Sequence, residues 1–88
     1  MKKDLYSQKI ISLDCSALNE IIITLTNGNS YHANLYSDFK DLFCYPKNLE
    51  EWSKAIINEG AFAIEWPTGF DIHFDHIVAL SEIQKKSA

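Results

Sequence analysis

Asp71, His73, Asp75 and His76 gather in one short stretch the side chains that could bind a metal or move a proton. On an extended strand side chains repeat every second residue, so Asp71, His73 and Asp75 share one side. Imidazole with carboxylates is a donor set that zinc accepts. The plainer reading is a polar strand face opposite Phe70, Ile72 and Phe74, with Asp75 capping a following helix. A metal site needs several converging ligands, so neither a metal nor another cofactor is expected. Acid–base work by Asp71 would need a second titratable group within hydrogen-bond reach. His32, on the outer face of a hairpin, could supply one, but no spacing requires it. Asp71 is instead expected to accept hydrogen bonds from the N–H groups of the turn before it. Ser7, Ser12 and Ser30 lack a nucleophile-elbow context, and no glycine loop is built to cradle phosphate. With no catalytic residues to nominate, the chain is expected not to be an enzyme.

Charge narrows the partners. The chain has 88 residues and a formal net charge of −4, from 8 basic and 12 acidic residues. Every basic residue is a lysine. Arginine, the usual reader of phosphate and guanine, is absent, and Lys2, Lys3, Lys85 and Lys86 sit at the ends. Direct nucleic-acid binding is therefore disfavoured. Cys15 and Cys44 lie in apolar contexts without a CxxC partner, which reads as two buried free thiols in a reducing cytoplasm. No signal peptide is seen at the N-terminus, and no apolar run approaches the ~18 residues of a membrane span.

These residues sit in a chain that reads as one domain over 1–88, with polar ends at 1–7 and 85–88. A strand is predicted over 9–15, with Ile11, Leu13 and Cys15 facing one way. Residues 20–26 and 30–36 form a hairpin around Asn27-Gly28. Its inner face carries Ile21, Ile23, Leu25, Tyr31, Ala33 and Leu35. Residues 38–44 read as a helical turn or irregular connector. A helix is predicted over 49–58, capped by Asn48 and closed by Gly60. A strand follows over 61–66, presenting Phe62, Ile64 and Trp66. Pro67-Thr68-Gly69 turns the chain into a strand over 70–74, and a last helix carries Ile77, Leu80 and Ile83. The fold class is α+β: an antiparallel sheet of about five strands with one or two short helices on one face.

The order of these parts, and above all Trp66-Pro67-Thr68-Gly69-Phe70-Asp71, resembles the small bacterial domain of unknown function family 2442. The resemblance covers about residues 9–80, with Thr26-Asn27-Gly28 adding to it. It departs at Thr68, where the family often has Asn, at Phe74, in a region where a proline is common, and at Trp52, where Phe is usual. The resemblance implies an α+β fold and no established enzyme activity. It also implies a gene beside another small protein, in a toxin–antitoxin-like arrangement.

The expected function is thus a non-enzymatic protein–protein binding module, antitoxin-like, acting on an unidentified protein partner. The alternative is a small acidic inhibitor or regulator of a nucleic-acid-handling complex, of the kind phages and mobile elements encode, with the carboxylates of Asp38, Asp41, Glu50, Glu51 and Glu59 covering a basic groove. Trp52 and Trp66 are read as core anchors. Ile22 and Tyr36 fall on the nominally polar face of the hairpin, and an apolar pair there calls for cover. Ile22, Tyr36, Tyr45, Glu50 and Glu51 are the expected partner-binding residues. Edge pairing between hairpins would give a homodimer.

Overall fold

A computed structural model describes residues 7–87, and side chains through 85. It is an α+β structure built from two three-stranded antiparallel sheets rather than one sheet of about five strands. The first sheet contains β1 (Ile10–Asp14), β2 (Glu20–Leu25) and β3 (Ser30–Asn34), in that order. Two one-turn helices follow, α1 (Tyr36–Phe39) and α2 (Leu49–Trp52). The second sheet is β4 (Ile56–Ile57), β5 (Ala63–Glu65) and β6 (Asp71–His73). The described residues end in α3 (Phe74–Ser87), so residues 85–87, expected as part of a polar end, belong to a helix. The other expected end, residues 1–6, lies outside the described residues.

The central hairpin forms around the predicted turn, but β3 ends at Asn34 rather than at residue 36. Ile21 pairs with Ala33 and Ile23 with Tyr31. Ile21, Ile23, Leu25, Ala33 and Leu35 are buried. Gly28, at φ 89°, closes the turn with its N–H on the Leu25 carbonyl. The second hairpin repeats this device. Trp66 N–H bonds the Phe70 carbonyl, Gly69 N–H bonds the Trp66 carbonyl, and Gly69 has φ 101°. Both are three-residue loops ending in a left-handed glycine, a common way to join antiparallel strands.

Three predicted elements differ for local reasons. In β1 the alternation breaks at a bulge: Ile10 pairs with Leu25 and Ser12 with Thr24, leaving Ile11 unpaired and exposed. Ile10 therefore joins the core in place of Ile11. The predicted 49–58 helix stops after one turn. Ile56 and Ile57 run extended and pair with Glu65 and Ile64, as β-branched residues favour. Gly60 caps no helix; it lies in the following loop, where a Cβ would come 2.5 Å from the Phe62 ring. The predicted 61–66 strand begins only at Ala63, because Ala61 takes a left-handed φ of 60°.

The two sheets share one core. Ile10 N–H bonds the Ala61 carbonyl, and Phe74 N–H bonds the Phe62 carbonyl. An aromatic series fills the space between them. Trp52 lies 5.0 Å from Trp66, Trp66 5.0 Å from Phe70, and Phe70 5.2 Å from Phe39, ring centre to ring centre. Both indoles satisfy their N–H groups, Trp52 on the Glu20 carbonyl and Trp66 on the Trp52 carbonyl. Phe62 was expected in this core and is not. It is 43% exposed and its ring packs on His73. On α3, Phe74, Ile77, Leu80 and Ser81 face inward. Ile83 turns outward and Gln84 takes the next inward position, the i, i+4, i+7 drift of a helical stripe.

Candidate functional site

The Asp71–His76 stretch does not converge. β6 ends at His73 and helix α3 begins at Phe74, so the strand periodicity that would align Asp71, His73 and Asp75 is broken. His73 packs on Phe62, and His76 lies 5.1 Å from Phe39. Among the described residues no group of three or more His, Cys, Asp or Glu could hold a metal ion. Asp75 sits inside the first turn of α3, not ahead of it as a cap. Asp71 is exposed and in register with Glu65, another carboxylate. It accepts no hydrogen bond from the turn among the described residues. The turn relies instead on its own backbone and on Thr68, whose hydroxyl reaches the Cys44 carbonyl at 2.6 Å.

His32 meets Glu20 rather than Asp71. On the outer face of the first sheet its Nε2 bonds the Glu20 carboxylate. Asn34 Nδ2 donates to the other Glu20 oxygen at 2.7 Å. Glu20 and Asn34 are directly cross-strand, and His32 lies on the same face. The spacing of Glu20 and His32 around the Asn27-Gly28 turn held this signal in the sequence, once the hairpin register is drawn. The pair stands between two depressions. One, of about 350 Å³, is lined by Asp14, Ser16, Ala17 and Ile22 beside it. The other, of about 360 Å³, runs toward α3 and is lined by Ser30, Ser81, Gln84 and Lys85. Asp14 is held below its usual pKa by the hydroxyl and backbone N–H of Ser16.

The five expected partner-binding residues separate. Ile22 is 37% exposed, opposite His32 and Asp14 in the sheet. Tyr36 is 49% exposed but is not on the hairpin face, because the chain leaves β3 at Asn34 and Tyr36 opens α1. It lines a different depression, of about 280 Å³, with Leu18, Asn19, Lys40, Pro46 and Lys47. Tyr45 reaches this depression from below. It is 4% exposed, so it supports the surface and does not form it. Its hydroxyl donates to Asn19 Oδ1 at 2.6 Å, and burial, helped by the neighbouring Tyr36, pushes its pKa up to about 12. Glu51 is engaged in holding α2: its carboxylate accepts from Lys47 N–H while Asn48 Oδ1 accepts from Glu51 N–H. That is a capping box displaced by one residue. Glu50 is exposed beside Lys54, with 4.0 Å between the charged atoms.

Phe43 was not nominated from sequence, where residues 38–44 read as a helical turn or irregular connector. It is 97% exposed. Leu42 beside it is exposed as well, on the same connector that brings Lys40, Pro46 and Lys47 to the Tyr36 depression. Cys15 is buried and Cys44 half-buried, both as free thiols. Burial, with Asp14 adjacent, pushes the Cys15 thiol up to about 12, which keeps it protonated and unreactive.

No protein-family model, curated protein or solved structure matches this chain. Among the described residues no helix is long and apolar enough to cross a membrane.

Proposed function

We propose that the chain is a non-enzymatic protein-binding module of the bacterial cytoplasm, antitoxin-like in that it neutralises or modulates one partner protein. The observation that carries this reading is the exposure of Phe43 with Leu42, on the connector that also brings Lys40, Pro46 and Lys47 to the Tyr36 and Leu18 depression. A phenylalanine almost wholly in water makes no contribution to the core, and apolar clusters on a surface mark interaction sites. Tyr36 adds an aromatic of the kind enriched at binding hot spots. The likeness of Trp66–Asp71 to family 2442 supports the antitoxin-like part of the reading. The acidic-inhibitor alternative draws less support, because of its five carboxylates Glu51 is committed to its helix cap, Glu50 lies beside Lys54 and Asp41 beside Lys40, leaving Asp38 and Glu59 exposed.

The test is capture from the native host by the parent chain, by Tyr36→Asp with Phe43→Asp, and by Ile22→Asp. Loss of a specific partner in the double variant, with capture tolerant of salt, is the expected result. Equal capture by all three would remove the reading. Capture that survives both variants but weakens steeply with salt would favour the acidic alternative, since exposed charges are screened.

A further inference from the structure

The outer edge of β3 is a second feature, independent of the Tyr36 depression. In the β2–β3 pairing, Leu35 N–H donates to the Asn19 carbonyl and Leu25 N–H to the Asn29 carbonyl. Alternation then directs the N–H and C=O groups of Ser30, His32 and Asn34 away from β2. Asn34 shows what these groups take. Its N–H donates to Gln84 Oε1 at 2.8 Å, and its carbonyl accepts from Gln84 Nε2 at 2.8 Å. A side-chain amide from α3 thus stands where the peptide unit of a neighbouring strand would stand. No comparable side chain covers Ser30 or His32 among the described residues. Beside them runs the depression of about 360 Å³ between β3 and α3, lined on its helix side by Ser81, Gln84 and Lys85.

We propose that this trough is a strand-addition site for an extended segment of a partner protein, paired by backbone hydrogen bonds to Ser30 and His32 and stopped by Gln84. An edge strand beside a helix is a recurrent peptide-binding arrangement. The charged group on the helix side is Lys85, so the segment that fits best carries a carboxylate in register with it. The Glu20 carboxylate on the sheet side is already bonded to His32 and Asn34, which leaves Lys85 to set the charge preference.

The experiment titrates the ¹⁵N-labelled chain with the synthetic peptide acetyl-Thr-Val-Glu-Val-Thr-Val-amide, and with the same peptide N-methylated at alternate amides. The expected result is saturable shifts of the Ser30 and His32 amides with slowed exchange, no effect of the methylated peptide, and weakening of roughly fivefold in Lys85→Glu. His32→Pro removes an outward N–H that β2 does not use, a position where an edge strand tolerates proline. It is expected to weaken binding by about tenfold while the amide spectrum elsewhere is retained. Tyr36→Asp with Phe43→Asp should bind the peptide unchanged, so failure of one site is separable from failure of the other. Absence of saturable shifts at Ser30 and His32, or equal binding of the methylated peptide, would overturn the proposal. So would self-association of the peptide-free chain through the same amides, which would make a second copy the occupant.

Discussion

Tyr45 shows how a single side chain can look like surface in the sequence and belong to the interior. A tyrosine before a proline in a connector reads as exposed, yet its ring lies against Trp52 and Phe70 and its hydroxyl is held by Asn19. Phe70 and Asn19 are both distant from it in sequence. Its raised pKa gives a testable pH dependence. In the unfolded chain the phenol ionises near 10; in the fold it keeps its proton to about 12. Between those values the folded state binds more protons, so stability is full below pH 10 and falls as pH rises toward 12. Denaturant titrations across that window should show this decline, and Tyr45→Phe should remove its share; a variant with the parent's profile would count against the assignment. Glu20 and His32 are the opposite case. Their meeting was legible from the hairpin register, but each read alone as an ordinary polar residue on a strand. Phe43 was not legible at all, because helical spacing with Phe39 and Leu42 says nothing about which way a four-residue helix ends.

At the scale of elements, the turns were the most readable parts and the short segments between 49 and 63 the least. Asn27-Gly28 and Pro67-Thr68-Gly69 specify their loops through glycines with positive φ, a local requirement that needs no tertiary information. A Cβ on Gly28 would meet nothing within 4 Å, and on Gly69 only Cys44 Cβ at 3.8 Å. Alanine at either position should therefore cost about 1 kcal/mol from backbone strain alone. Urea unfolding of the two variants would measure this, and losses near zero would contradict the turn assignments. Residues 49–58 mislead because Leu49, Trp52 and Ile56 have helical spacing, while β5 needs a partner on its free side and Ile56-Ile57 supplies it. Propensity in a ten-residue window is weak enough for tertiary pairing to decide. Trp66 was read correctly as an anchor. Its replacement by alanine removes contacts with Trp52 and Phe70 and the bond to the Trp52 carbonyl. The expected loss is about 3–5 kcal/mol, against a total near 5 kcal/mol for a marginal domain. A Trp66→Ala chain that melts like the parent would refute the anchor.

For the whole molecule, the α+β class was visible in the alternation and turn signals, and the division into two sheets was not. Strand count does not reveal which strands pair, and here the aromatic series between Tyr45 and Phe70 fills the gap that a continuous sheet would have closed. With Trp52, Trp66, Phe70 and Phe74 directed inward, the chain still leaves Phe43 in water, and the protein-binding account rests on that contrast. The decisive measurement is the affinity of the partner captured from the native host, titrated by calorimetry into the parent chain and into the Tyr36→Asp, Phe43→Asp double variant, with melting temperatures taken alongside. Both side chains lie on the surface, so the variant should melt close to the parent. The account predicts that its affinity falls by roughly a hundredfold, about 3 kcal/mol, the size of a lost hot spot. An unchanged affinity in a variant that folds like the parent would contradict it.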